Sequence, residues 1–538
     1  MSDSIACARA LIGQLLAQGV SDLVLAPGSR SAPLALVAEA TARAGRLRLH
    51  VRVDERSAGF LALGLAKASG RCVPVVTTSG TAVGNLLPAV MEAHHSGVPL
   101  LVVSADRPAA LVGIGANQTT EQTGLFGGFL RYRARVSSTA PGPSWAAQAA
   151  RAVLRAEGAL SREPGPAQLN VELGEPLVAA AGPLAAEVLP AVAAGSLSEP
   201  SPVRLPAGAR TLVVCGDAPP AVGRAAAVLA ERSGLPLLAE PSSNARVGAT
   251  ALAAGRLLLA GDLGARVERV IVFGRPTLSR PVNALLARPG VEVVVVTAAA
   301  DFVDPGWRAT VVAGAVEVPA GDPAWLEDWQ AADTAKRSAL ADLLGAEGPL
   351  TGPALAALVV AGVPSDQVLC LGSSNPIRDA DLAPIQPAPP PVYANRGLSG
   401  IDGSVSTAAG VALASGVPTT LLCGDLAFVH DAGALAIGPG EPRPTLRVVV
   451  ADDAGGSIFA TLEYGRPEFA EAFERVFATP SGLDLVALAA GYGVPATRLR
   501  TAGEVAAALT EPVTGLEVLV VDIDRAGRAE LNRRMNTL

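Results

Sequence analysis

Short runs of Val, Leu and Ile, each ending in Gly or a polar turn, recur along the chain between longer Ala/Leu-rich stretches of helical character. Such short, unbroken apolar runs suit strands buried on both faces. Their alternation with helices is the pattern of βαβ units on parallel sheets. Strand signals fall in SDLVLAPGS (21–29), VPLLVVSADRP (98–108), TLVVCGDAP (211–219), RVIVFGRPT (269–277), VEVVVVTAAAD (291–301), QVLCLGSS (367–374), TTLLCGDLA (419–427), LRVVVADDAGG (446–456) and GLEVLVVDIDR (515–525). The pattern predicts an α/β protein of three consecutive doubly wound parallel-sheet domains.

The stretch 181–210 lacks periodicity and is rich in Pro, Ala and Ser, which marks a linker. The charged segment WLEDWQAADTAKRSAL (325–340) reads as a surface helix leading to GPLTGPAL (348–355). Domains are therefore expected near 1–185, 205–325 and 345–538, with the Pro-rich QPAPPP (386–391) as a loop inside the third. A chain of 538 residues is too long for one core, so several domains are required.

Composition changes this picture in several ways. Half of the residues are apolar but only 3% are aromatic, so the core must be built from Ala, Val and Leu. The net charge is −7 with no basic run, which argues against nucleic acid or an anionic membrane as the main partner. Of the 42 basic residues only Lys67 and Lys336 are lysine, a bias that weakens any argument from the abundance of Arg alone. Cys7, Cys72, Cys215, Cys370 and Cys423 are scattered, without metal spacing, and read as small buried hydrophobes in a reducing compartment. No stretch reaches the ~18 apolar residues of a membrane span, and Asp3 stands where a signal peptide would be basic. The expectation is a cytoplasmic protein with no membrane insertion.

Ligands of open parallel sheets bind beyond the carboxyl ends of the strands, so polar residues there are the candidates for chemistry. Glu55 follows a short strand and opens an apolar helix, a position that suits either a helix cap or a functional acid. TTSGTAVG (77–84) is a turn into a helix whose N–H groups could hold an anion or simply start the helix. Asp425 and Asp453 stand at the ends of two strands, the second before a Gly-rich turn. Such carboxylates serve ordinary turns, and they also supply the hard oxygens that Mg²⁺ prefers. Arg30, Arg107, Arg280, Arg378 and Arg396 lie beside turns and would suit a polyanionic ligand if they converge. The four histidines, His50, His94, His95 and His430, have neither zinc spacing nor a nucleophile partner of a recognised kind, which argues against a hydrolase or zinc enzyme.

Glu55, with a GD…(N/D)-x-G signature about 370 residues later, resembles the paired halves of thiamine-diphosphate enzymes. Within them the chain is similar to the 2-succinyl-5-enolpyruvyl-6-hydroxy-3-cyclohexene-1-carboxylate synthase family. The residues that carry this are APGSRSAPL (26–34), DERSAGFLALGLAK (54–67), TSGTA (78–82), SADRP (104–108), GANQTTEQ (115–122), NRGLSGIDGSVSTAAG (395–410), GDLAFVHD (424–431) and GGSIF (455–459). An acetolactate synthase relative would explain Glu55 and Asp425 but not the arginines of PGSRSAPL and NRGLSGIDG.

The resemblance implies thiamine diphosphate as cofactor with Mg²⁺, or Mn²⁺ in its place. It implies a transferase of menaquinone biosynthesis that decarboxylates 2-oxoglutarate and adds the four-carbon succinic-semialdehyde unit to isochorismate. It also implies that the first domain binds the pyrimidine, that the third binds the diphosphate and metal, and that the central domain is degenerate. Glu55 takes the role of the acid at the pyrimidine, and Thr78, Ser79, Gly80, Ile401 and Gly424 join it around the cofactor, Ile401 as the bulky apolar residue beneath it. Asp425, Asp453 and the carbonyl of Gly455 take the roles of metal ligands. Ser29, Arg30, Arg107, Asn117, Gln118, Arg280, Ser374, Arg378 and Arg396 become substrate-side residues. Asp453 departs from the Asn usual at that position, and Arg280 stands where some relatives have a Lys-Arg pair. The resemblance further implies a homodimer or dimer of dimers, each site pairing the first domain of one subunit with the third domain of its neighbour.

Overall fold

A computed structural model describes residues 3–178, 184–345 and 349–538. Residues 181–183 of the expected linker and residue 348 lie outside them. The chain divides into two compact units, one of Met1–Leu197, Asp402–Gly416 and His430–Thr445, the other of Ser198–Ile401, Val417–Val429 and Leu446–Leu538.

The first unit is built on a six-stranded sheet of β1 (Asp22–Leu25), β2 (Arg48–Val51), β3 (Val73–Thr77), β4 (Leu100–Asp106), β5 (Tyr132–Ser137) and β6 (Ala167–Glu172). Its order is β2-β1-β3-β4-β6-β5 and every pairing is parallel. Central β3 and β4 are buried along their whole length, as unbroken apolar runs require, whereas edge strand β5 alternates exposed and half-buried positions.

The helix Glu55–Ser69 starts where Asp54 caps it by accepting the Arg56 N–H at 2.8 Å, and it ends at Gly70 in the left-handed conformation. Its apolar length is explained by its neighbour in the same unit, the helix Ser404–Ser415. A Cβ on Gly64 would lie 2.1 Å from the Thr407 carbonyl oxygen, and one on Gly410 would lie 2.3 Å from that of Leu61. The two helices meet backbone to backbone, and only glycine fits at the crossing.

The second unit holds two main sheets. Strands β8 (Thr211–Cys215), β9 (Leu237–Ala239), β10 (Arg269–Phe273), β11 (Glu292–Val296) and β12 (Ala309–Ala313) form a parallel sheet in the order β12-β11-β10-β8-β9. The short β7 (Val203–Arg204) and β13 (Val316–Glu317) pair beside it. The last sheet comprises β14 (Val368–Leu371), β15 (Val392–Ala394), β16 (Thr419–Gly424), β17 (Leu446–Asp452), β18 (Ala496–Leu499) and β19 (Leu516–Asp522), in the order β15-β14-β16-β17-β19-β18. Counted from its own first strand, this is the order of the N-terminal sheet. Three parallel α/β sheets are thus present, as the strand signals predict, and all nine signals coincide with strands.

One expectation is corrected. The segment 325–340 belongs to a helix, Pro323–Leu344, but it is not merely a surface helix: Trp325 and Trp329 are buried against the central sheet, and the Trp325 indole N–H donates to the Thr211 carbonyl. Its charges line the outer face except for Asp333, which is buried and accepts the Ala254 N–H at 2.7 Å. All five cysteines are free and buried, as expected. Among the described residues no helix is long and apolar enough to cross a membrane.

Candidate active site

Within the first unit, the candidates lie on the turns that follow the strands. Glu55 stands half-buried at its helix N-terminus after β2, and its Oε2 accepts from Asn85 Nδ2 at 3.0 Å. After β3, Ser79 is buried. Its hydroxyl donates to the Gln118 carbonyl (2.9 Å), while Gln118 Nε2 returns a bond to the Ser79 carbonyl (2.9 Å). Arg107, after β4, donates through Nη1 to both Ser79 Oγ (2.6 Å) and the Gln118 carbonyl (2.8 Å). The Gly80 N–H is held by Gln122, itself fixed by Asn170. Thr78 packs where a side chain on Gly28 would strike it, so the turns after β1 and β3 touch.

Arg30 donates to the Leu173 carbonyl at 3.0 Å and lies 3.7 Å from the exposed Glu175. Burial and the neighbouring Arg107 push the Arg30 guanidinium below its usual range. Two cations held close together favour a ligand with more than one negative charge. Ser29, Asn117 and Gln118 are exposed around them.

The second unit carries the other candidates around a cavity of about 880 Å³, open mouth included, beyond the ends of β14, β16 and β17. Gly424, Asp425, Asp453, Gly455, Ser374 and Ile401 all line it. Asp425 is 4% exposed and accepts the N–H groups of Leu426 (2.7 Å) and Gly455 (2.8 Å). Asp453 accepts from the Ser457 hydroxyl, which in turn accepts from Asn375 Nδ2 at 2.7 Å. Gly455 has φ +133°, and a Cβ there would lie 2.5 Å from the Ala478 carbonyl, so the turn that brings its backbone to Asp425 demands glycine.

Burial, with Asp453 nearby, pushes the Asp425 carboxyl up to about 7. Burial raises Asp453 to about 6. Two crowded carboxylates and a carbonyl form a hard-oxygen donor set that a divalent cation would relieve, so these residues fit a metal. Among the described residues no group of three or more His, Cys, Asp or Glu side chains is placed to hold a metal ion, so this site offers two carboxylates and a backbone carbonyl only.

Beside this cavity lies a second cleft walled by Arg256, Arg280, Arg378 and Arg528, of which Arg528 pairs with Asp379 and Arg256 with Asp381, both also in the wall. Burial and the charges of Arg396, Arg256 and Arg280 push Arg378 below its usual range, partly offset by Asp379. Arg378 donates to the carbonyl of Ser374, a residue held at φ +75° and ψ −135°, a conformation strained for any residue but glycine. Arg280 is largely exposed and 3.7 Å from Glu463. Arg396 is buried, with one bond, to Thr277.

Sequence reasoning passed over Asn85, Ser457, Asn375 and Arg528. Asn85, Asn375 and Arg528 act through partners distant in sequence, whereas Ser457 bonds Asp453 four residues away and stood inside the motif GGSIF.

Residues 5–125 match the family model described as thiamine pyrophosphate enzyme, N-terminal TPP binding domain. Over 99% of its length the chain is 50% identical to the 2-succinyl-5-enolpyruvyl-6-hydroxy-3-cyclohexene-1-carboxylate synthase of Kineococcus radiotolerans, of which 98% is covered. The chain belongs to this synthase family. Proteins of the same name from a Nocardioides strain (46% identical, 99% of this chain and 97% of the relative) and from Rhodococcus erythropolis (42%, 99% of each) agree. As a family member it is an enzyme of the thiamine-diphosphate class.

Proposed function

We propose that the chain condenses 2-oxoglutarate with isochorismate, releasing CO₂ and forming 2-succinyl-5-enolpyruvyl-6-hydroxy-3-cyclohexene-1-carboxylate for menaquinone biosynthesis. The observation that carries the reading is the arginine-walled cleft beside the buried Asp425/Asp453 pair. Both substrates are dicarboxylates, and the overall acidic chain concentrates guanidinium groups where their carboxylates would have to sit.

Bound thiamine diphosphate supplies the electron sink that decarboxylation of a 2-oxoacid needs. Glu55 would hold the proton on the ring nitrogen of the pyrimidine, with Asn85 fixing one of its oxygens. Asp425, Asp453 and the Gly455 carbonyl would hold Mg²⁺ against the diphosphate, assisted by Gly424 and the turn Thr78–Gly80, while Ile401 supports the cofactor. Ser29, Arg30, Arg107, Asn117, Gln118, Arg280, Ser374, Arg378 and Arg396 would bind and orient the substrates. On this reading residues 1–185 form the pyrimidine-binding domain, 205–325 the central domain and 345–538 the diphosphate domain. The working form is a homodimer or a dimer of dimers in the cytoplasm.

The test is an assay with isochorismate, 2-oxoglutarate, thiamine diphosphate and Mg²⁺, following CO₂ and isochorismate. Stoichiometric loss of isochorismate with CO₂ release is the expected result. CO₂ release without isochorismate consumption would leave a simple decarboxylase instead.

A further inference from the structure

Glu240 directly follows β9 and is 6% exposed. Its Oε1 accepts the Leu278 N–H at 2.8 Å, and its Oε2 has no partner. Arg396, 1% exposed, donates through Nη2 to Thr277 Oγ1 at 2.9 Å, while its Nε and Nη1 have none. Consecutive residues of one loop are therefore held by a buried acid and a buried guanidinium of opposite formal charge. The Arg396 charge favours ionisation of the acid, yet no ion pair joins them. Buried N–H groups without acceptors are costly, and a direct Glu240–Arg396 pair would have satisfied them. Leaving them open makes sense if a ligand supplies the acceptor.

The surroundings of Glu240 decide its charge. Arg396 and the Leu278 N–H favour the carboxylate, and Asp381 and Asp217 oppose it. Arg246 and Arg256 line a small cavity with it, but Asp381 lies 4.0 Å from the first and 2.7 Å from the second. The buried Cys215 thiol lies close by as well. Burial outweighs the rest and pushes Glu240 up to about 8.

We infer that Glu240 is a positioning residue for Arg396: it anchors the loop on which Arg396 leans, and it leaves Nε and Nη1 to a substrate carboxylate. The inference rests on the reading of Arg396 as a substrate-side residue. Ionisation of Glu240 at high pH would set a rival carboxylate beside Arg396 and weaken substrate binding.

Kinetics of the holoenzyme test this. The KM of the dicarboxylate that Arg396 binds should rise roughly fivefold or more in the wild type between neutral pH and about pH 9, with kcat little changed. Glu240→Gln keeps an oxygen for Leu278 and cannot ionise, so its KM should match wild type near neutrality and stay flat. Glu240→Ala strands the Leu278 N–H and should raise KM on the order of tenfold with a smaller change in kcat. Superimposable pH profiles for wild type and Glu240→Gln overturn the inference, even should the Ala variant fail to fold. Arg396→Ala separates the two readings. If it leaves both substrate KM values unchanged, the role of Arg396 falls; if it raises one that the Glu240 variants do not affect, only the role of Glu240 falls.

Discussion

Asn85 Nδ2 donates to Glu55 Oε2 at 3.0 Å, and Asn85 itself caps the end of the short helix Thr81–Gly84 that the turn after β3 opens. The acid and the turn are thereby tied into one piece. Glu55→Gln should lower kcat at least about a thousandfold with the fold intact by circular dichroism, because an amide cannot stabilise a protonated ring nitrogen as a carboxylate does. Asn85→Ala removes one hydrogen bond to a charged group and should cost about tenfold in kcat/KM. Asn85→Asp should cost more, since two carboxylates would then face each other. Wild-type kinetics in Asn85→Asp would disconnect Asn85 from the role of Glu55.

Metal binding should depend on pH through the Asp425/Asp453 pair. Both carboxyls are raised, to about 7 and about 6, and a cation binds their ionised forms. Affinity for Mg²⁺ should therefore climb from about pH 5.5 to 7.5 and then level off. Asp453→Asn removes the charge that raises Asp425, so the midpoint should move to lower pH while binding persists. Asp425→Ala should abolish Mg²⁺-dependent cofactor binding. Calorimetric titration of metal and cofactor across this range checks all three.

The glycine crossing of the helices Glu55–Ser69 and Ser404–Ser415 should be intolerant of bulk. Gly64→Val would drive three carbons into the Thr407 backbone, and overpacking of this kind costs about 1–3 kcal/mol or more. The expected result is a fall of several degrees in Tm with activity lost alongside. An unchanged Tm would mean that the two helices part without penalty.

Asp431 gives a pH-dependent stability within the first unit. It is fully buried and accepts the Ser406 N–H (2.7 Å) and hydroxyl (2.9 Å), yet burial raises its carboxyl from 3.8 to about 6. A raised native pKa means that the protonated form is preferred on folding. Its stabilisation is complete below about pH 4 and is lost as pH rises through 6. Asp431→Asn cannot ionise, so its Tm relative to wild type should grow more favourable between about pH 4 and 7 and then stay level. A difference independent of pH would contradict this.

What could be read from the chain divides along physical lines. Strands such as β4, β10 and β17 are buried on both faces and announce themselves as unbroken Val/Leu/Ile runs. Edge strand β5, YRARVS, and edge strand β18, ATRL, keep polar faces and have no such signature. Glu55, Asp425 and Asp453 were legible as candidates from their places just after strands, a position that equally suits a helix cap or an ordinary turn. Asn85 and Glu240 were not, since the first matters only through Glu55 and the second only through a loop shared with Arg396.

The N-terminal and C-terminal six-stranded sheets share one strand order, and matching turns on them carry unlike residues. Ser29 and Arg30 follow the first strand of one, Ser374 and Arg378 that of the other; Glu55 follows a second strand, as does Arg396; Arg107 follows a fourth strand, as do Asp453 and Gly455. Copying of a gene segment within one chain would leave this match, the sheets preserved while the turns diverged. The turns of one now carry Glu55, and those of the other carry Asp425 and Asp453.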